Sequence, residues 1–298
     1  MASGRGSHEL SYHVVDVFAS QRFAGNPLAV VLDGDALATS QMQQLAREFH
    51  LSETAFPLQP TDSQKTQGAD YFLRIFTPEV EIPFAGHPSI GTAWLLHQLG
   101  RLPSGEVRQL CGEGLLPVSV NDRSATLTGG PPVVGDPVDA APILAAVGLS
   151  AVDLRHPPRI ATTGLPYAIL PVRVEALERC QPDLALLSST SAFPDTSTGV
   201  YVVAWQDNVR RIKARMFAGD IGVPEDPATG SAALALGAYL AQLGLLPAGS
   251  QTVDVEQGVA MGRPSQLHVQ IDIADGRASR VRVSGDVVRV ADGRILIP

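Results

Sequence analysis

Arg74 to Gly91 reads RIFTPEVEIPFAGHPSIG, and the second half of the chain restates its plan: Arg215-Met216-Phe217, then Gly219 to Ala232 as GDIGVPEDPATGSA. In both stretches an Arg-apolar-Phe triplet leads into a Gly/Pro-rich loop. A polar residue with proline follows, His87-Pro88 in the first and Asp226-Pro227 in the second, and then a glycine with small neighbours, Gly91-Thr92-Ala93 and Gly230-Ser231-Ala232. The copies lie roughly 140 residues apart, far beyond the period of a solenoid, so they mark one duplicated domain and not an array. Before each loop the branched and aromatic residues predict a strand, Tyr71–Phe76 and Arg211–Phe217. After it, runs of apolar and small residues predict helices over Ser89–Leu99, closed by Gly100, and over Ala228–Leu243. A helix that is apolar all round has to be enclosed. The expected fold is therefore α+β: two similar domains, each a curved, mostly antiparallel sheet around a central apolar helix, with the active site in the cleft between them.

Working outward, Tyr12–Phe18 and Leu28–Leu32 predict paired strands around the turn signal Ala24-Gly25-Asn26-Pro27. Ser40–Phe49 is an amphipathic helix, with Ser40 and Gln43 as a capping box and His50 at its end. Thr54–Leu58, Tyr167–Val172 and Gly199–Trp205 are further strands. In the tail, the strand beginning at Leu267, then Arg280–Val290 and Ile295–Ile297, alternate in strand fashion, with a hairpin expected at Ala291-Asp292-Gly293. The Gly/Pro-dense Gly129–Pro137 marks a boundary. It divides the chain into domains 10–129 and 130–286, with a strand at about 287–298 able to return to the first. Ser188–Thr198, rich in Ser and Thr, reads as a solvated loop in preference to a lid.

Composition narrows the function. The chain has 298 residues, 45% of them hydrophobic, and a formal charge of -8. Such a balance gives no field to attract nucleic acid or an anionic membrane. Cys111 and Cys180 show no paired spacing, which suits a reducing cytoplasm. Met1–His8 has no apolar run behind its arginine, so it reads as a frayed tail, neither signal nor anchor. The longest apolar stretch, Ser231–Pro247, falls short of the roughly 20 residues of a membrane span and fits an interior helix. The expected location is cytoplasmic.

His87-Pro88 and Asp226-Pro227 each place a polar residue where a helix cap is wanted and a proline in the first turn. One such pair is usually an ordinary cap. Two at matching positions, each followed by glycine and small residues, suggest paired helix N-termini able to grip a carboxylate. Glu53, flanked by apolar residues between a helix and a strand, is a third candidate, because burial would raise its pKa toward neutrality. A glutamate in that place is more often solvated, and Glu79, Glu81 and Glu225 compete with it. Neither Lys65 nor Lys213 sits in a convincing Schiff-base site, the seven histidines lack paired ligand spacing, and neither Ser52 nor Ser231 lies in a nucleophile elbow. No metal and no organic cofactor is expected.

Four segments, GNPLAV (Gly25–Val30), SETAF (Ser52–Phe56), Arg74–Gly91 and Gly219–Ala232, occur in the order of the signature motifs of the phenazine-biosynthesis PhzF-like family, which the chain resembles over nearly its whole length. The resemblance implies a diaminopimelate epimerase-like fold and a homodimer. It also implies a cofactor-independent isomerase that moves a proton on a small conjugated carboxylate, trans-2,3-dihydro-3-hydroxyanthranilate or a related precursor. By motif, Glu53 would be the acid/base, with His87 and Asp226 completing the polar site. Gly86, Gly230 and Ser231 would hold the substrate carboxylate. Racemases of this fold use a cysteine at each helix start; here Ala85 precedes Gly86 and Pro227 precedes Ala228, so a two-thiol mechanism is not expected. The rival reading is a non-catalytic protein that binds small carboxylates in the same cleft.

Overall fold

The alternating apolar residues of Tyr12–Val17 lie in β1 (Glu9–Val17), which turns into β2 (Asn26–Val31) with Tyr12 opposite Val31. The computed structural model describes residues 9–188, 198–206, 208–219 and 224–298. In the first half follow α1 (Thr39–Phe49), β3 (Glu53–Leu58), α2 (Asp62–Thr66), β4 (Tyr71–Phe76), β5 (Glu81–Ile82), α3 (Gly86–Gln98), β6 (Gly105–Cys111), β7 (Gly114–Val120) and β8 (Ser124–Thr128). The second half contains β9 (Val133–Pro137), α4 (Ala140–Ala146), β10 (Arg159–Thr162), β11 (Pro166–Val172), α5 (Val174–Leu177), α6 (Leu184–Leu187), β12 (Val200–Ala204) and β13 (Arg211–Phe217). It ends with β14 (Glu225–Asp226), α7 (Gly230–Gln242), β15 (Gly249–Gln257), β16 (Ser265–Ala274) and β17 (Arg277–Leu296).

The protein is a mixed α+β fold whose sheet forms a barrel-like ring. In the first half β1, β2, β3, β4, β6, β7 and β8 pair in succession, and β17 closes the circle by pairing with both β8 and β1. Inside, α3 is buried at every residue from Gly86 to Leu96. The second half runs from β17 through β16, β15, β13, β12, β11 and β10 to β9. Gly129, next after β8, donates its N–H to Val281 O at 3.0 Å and so continues the β8–β17 pairing. All of α7 from Gly230 to Ala241 is buried. Because β17 pairs with β1 and β8 and also with β16, the strands join into one 17-stranded sheet where two separate sheets were expected. One apolar core likewise takes in Ile90 and Leu95 of α3 and Leu234, Leu236 and Leu240 of α7.

Of three local expectations, two are corrected. The tail has no hairpin at Ala291-Asp292-Gly293: β17 runs through it for 20 residues, with a bulge opposite Val14/Val15. The Asp-Gly turn that the tail does use is Asp275-Gly276, both at positive φ, joining β16 to β17. The cap of α1 is Ala38, whose N–H donates to Gln41 Oε1 at 2.9 Å, while Gln43 donates instead to the carbonyls of Thr77 and Pro78. Finally, part of Gly129–Pro137 is strand β9, paired with β10. The Met1–His8 tail and residues 189–197 of the Ser/Thr-rich stretch lie outside the described residues.

Candidate active site

The duplicated stretches fold alike, but their residues correspond differently from the sequence pairing of His87 with Asp226. β5 follows β4, and β14 follows β13, as a short antiparallel return. Each return carries a glutamate held by both guanidinium arms of its arginine: Arg74 with Glu81 at 2.7 and 2.7 Å, Arg215 with Glu225 at 2.8 and 2.9 Å. Glu81 thus corresponds to Glu225, Ile82 to Asp226, Gly86 to Gly230 and His87 to Ser231. Neither His87 nor Asp226 is a helix cap. The caps are Ala85 and Thr229, and neither makes a side-chain capping bond. His87 is the second residue of α3, whereas Asp226 ends β14 ahead of the turn into α7.

The helix N-termini meet backbone to backbone. A Cβ on Gly86 would stand 2.9 Å from Ser231 N and 3.1 Å from Gly230 Cα. The first amides of a helix have no partner within it, so two sets of N–H groups converge at one place. That place favours an anion.

Glu53 opens β3, which runs parallel to β2 with Glu53 beside Leu28. Its carboxyl is buried and its Oε2 lies 3.4 Å from His87 Nε2. The separation would allow an ion pair, yet neither atom makes a hydrogen bond within the described residues. Burial decides the charge state. It raises the Glu53 carboxyl well above its ordinary range, helped by the nearby Asp226 charge, and it lowers the His87 imidazole to about 3. Burial thus favours the uncharged form of both groups.

Asp226 is surrounded by donors. Thr229 Oγ1 donates to its Oδ2 at 2.5 Å and Asn26 Nδ2 to its Oδ1 at 2.8 Å. Gln257 Nε2 donates to Asp226 O at 2.8 Å and to Thr229 Oγ1 at 3.0 Å, and its Oε1 accepts from Thr229 N and Tyr201 OH. Burial pushes the Asp226 carboxyl up to about 6, while the bonds from Thr229, Asn26 and Ser52 hold it from going higher. Its environment thus favours the anion more than that of Glu53 does.

All six residues expected at the site, Glu53, Gly86, His87, Asp226, Gly230 and Ser231, line one cavity of about 110 Å³. The competing acids are elsewhere: Glu81 and Glu225 are committed to their arginines, and Glu79 is exposed. Sequence reasoning missed four residues. Asn26 was legible only as part of a turn. Tyr167, whose hydroxyl is 2.7 Å from Ser231 Oγ, looked like strand filler. Thr229 and Gln257 carried no signal, since their role depends on β15 passing beneath the start of α7.

An α+β chain whose sheet forms a barrel-like ring has the fold of epimerase- and racemase-like proteins, and here two helix N-termini and an acid/imidazole/carboxylate group come to one cavity. A hydroxyproline epimerase from Agrobacterium vitis shares that fold at a TM-score of 0.67, with 16% identity and coverage of 97% of this chain and 92% of that one. A family model described as "Phenazine biosynthesis-like protein", PhzC-PhzF, matches residues 15–293, and the chain belongs to that family. The trans-2,3-dihydro-3-hydroxyanthranilate isomerase of Pseudomonas fluorescens is 36% identical, the alignment covering 96% of this chain and 99% of that protein. An uncharacterized isomerase of Mesorhizobium japonicum is also 36% identical, with 96% and 99% covered. The crystal structure of a PhzF-family phenazine biosynthesis protein from Bacillus anthracis superposes with a TM-score of 0.85 at 25% identity, covering 97% of this chain and 99% of that one.

Proposed function

We propose that this protein is a cofactor-independent isomerase that shifts a proton on a small conjugated carboxylate, with trans-2,3-dihydro-3-hydroxyanthranilate or a closely related precursor as substrate. The observation that carries the reading is the unpartnered pair Glu53 Oε2 and His87 Nε2, 3.4 Å apart and facing the cavity where the two helix N-termini meet. A buried acid without a partner is costly for the fold. It is explained if a ligand completes it.

The substrate carboxylate accepts hydrogen bonds from the first-turn amides of α3 and α7, with Gly86, Gly230 and Ser231 as the holders. This fixes the ring against Glu53, and such fixing supplies much of the rate. Glu53 in its ionised form takes a proton from a ring carbon. The C–H electron pair spreads into the conjugated system, and the same carboxyl returns the proton to a second carbon on the same face. Nothing is gained or lost overall. A carboxyl with a raised pKa suits both half-steps, because it is a stronger base than an ordinary glutamate and still an acid once protonated. Asp226 and His87 orient the amino and hydroxyl groups. On the same reading the enzyme works in the cytoplasm as a homodimer of two-domain subunits.

The test is to follow the ultraviolet spectrum of trans-2,3-dihydro-3-hydroxyanthranilate mixed with the protein. Catalysed loss of the diene supports the substrate. A flat trace moves the search to other conjugated carboxylates, and a flat trace with tight binding favours the non-catalytic binder.

A further inference from the structure

We infer that Asn26 is a positioning residue that holds His87 in the tautomer carrying hydrogen on Nε2, so that the imidazole presents an N–H, not a lone pair, to Glu53 and to the cavity. The argument runs through hydrogen bonds whose direction is dictated by backbone groups. Thr229 N–H can only donate, and at 3.2 Å it makes Gln257 Oε1 the acceptor, which puts Gln257 Nε2 against Asp226 O and Thr229 Oγ1. Thr229 Oγ1, already accepting from Gln257, sends its own hydrogen to Asp226 Oδ2.

The Asn26 amide is fixed in the same way. Ala228 O can only accept, and it lies 3.0 Å from Nδ2. Rotating the amide by half a turn would set Asn26 Oδ1 against that carbonyl and against the Asp226 carboxylate, three acceptors with no hydrogen between them. Nδ2 therefore faces Asp226 Oδ1, Ala228 O and, at 3.2 Å, His87 Nδ1. Nδ2 has two hydrogens for these three partners, so one is shared, and because it has no lone pair to offer, an imidazole nitrogen facing it must be the acceptor. In a neutral ring the hydrogen is then on Nε2, the atom 3.4 Å from Glu53 Oε2.

This deepens the isomerase reading and takes its catalytic meaning from it. With Nε2 as donor, His87 cannot serve as the base, and it can donate to an oxygen or nitrogen on which negative charge grows. Proton removal is left to Glu53. Asn26 reaches from the first half of the chain to Asp226 and Ala228 in the second, so one side chain sets the imidazole and supports the carboxylate together.

Long-range proton–nitrogen NMR of the nitrogen-labelled protein tests the assignment without ligand, with the His87 signals identified by their loss in His87→Gln. We expect Nδ1 to resonate as a bare, pyridine-like nitrogen and Nε2 as a protonated, pyrrole-like one. The reverse pattern overturns the inference, and so does an equal mixture. Asn26→Asp, which replaces the donor by acceptors, should move the hydrogen to Nδ1 and lower kcat about ten- to a hundredfold with KM nearly unchanged; an unaltered tautomer in the folded variant contradicts the role of Asn26. If the variant fails to fold, the wild-type spectrum alone decides. The spectrum also separates the two ideas: absent turnover leaves the tautomer standing, and an active enzyme with hydrogen on Nδ1 sinks only this inference.

Discussion

Gly86 and Ser231 stand so close that a Cβ on the glycine would be 2.9 Å from the serine amide nitrogen. The contact joins residues from the two halves of the chain and sets their helix N-termini side by side, where the proposed reading puts the substrate carboxylate. Replacing Gly86 by Ala must push the termini apart, because the obstacle is backbone and cannot rotate away. Gly86→Ala should therefore raise KM by roughly tenfold or more and cost about 1–3 kcal/mol of stability. Steady-state kinetics and urea unfolding measure the two effects, and unchanged KM would argue that the carboxylate sits elsewhere.

Two buried groups of the site pull the pH dependence of stability in opposite directions. Asp226, raised from 3.8 to about 6, binds its proton more tightly folded than unfolded, so its contribution is lost as pH climbs from about 4 to 6. The effect is on the order of 3 kcal/mol. His87, lowered from 6.5 to about 3, binds its proton less tightly when folded, so its contribution is lost as pH falls below 6.5. In the wild type the two partly cancel. Asp226→Asn removes the first and also eases the rise of Glu53, whose contribution is lost with pH in the same direction, so its stability should rise more steeply with pH between about 4.5 and 6.5 than that of the wild type. Urea titrations at several pH values check this. Parallel curves for the two proteins would mean that Asp226 is not perturbed.

The end of β17 closes the first ring, pairing from Val287 opposite Val17 to Leu296 opposite Glu9. A chain cut after Asp286 would keep the pairing of Arg282–Asp286 with β8 but strip β1 of its β17 partner, opening the ring and baring an edge on β1. Such a truncation should be insoluble or unfold at much lower denaturant. A stable, soluble product would show that the ring does not need its last strand.

How much of this was legible in the sequence varies by residue. Tyr71–Phe76 and Arg211–Phe217 were read to the residue, because branched and aromatic side chains bounded by breakers leave little choice. The helices after them were found, but with their starts misplaced. Proline next to a polar residue suggested caps at His87 and Asp226, whereas α3 begins at Gly86 and α7 at Gly230. The cap signal failed at Thr229 because its hydroxyl is diverted to Asp226. The bend at Ala291-Asp292-Gly293 imitated a hairpin in composition. Strand pairing with β1 overrode it, and Gly293 lies flat against Tyr12, where a Cβ would come within 2.8 Å of the ring. At the site, Glu53 and His87 could be named from motif alone. The role of Asn26 could not, since its partners Asp226 and Ala228 are some 200 residues away in the chain.

The central claim is that Glu53 carries the proton. The most direct measurement is turnover of trans-2,3-dihydro-3-hydroxyanthranilate in deuterated buffer by wild type and Glu53→Gln, with the product read by mass and NMR and binding measured in parallel. The wild type should isomerise the substrate, with deuterium entering at the receiving carbon to the extent that the Glu53 carboxyl exchanges with solvent before it returns its proton, while Glu53→Gln binds comparably and loses about a hundred- to ten-thousandfold in rate. Turnover by Glu53→Gln at the wild-type rate would contradict the account.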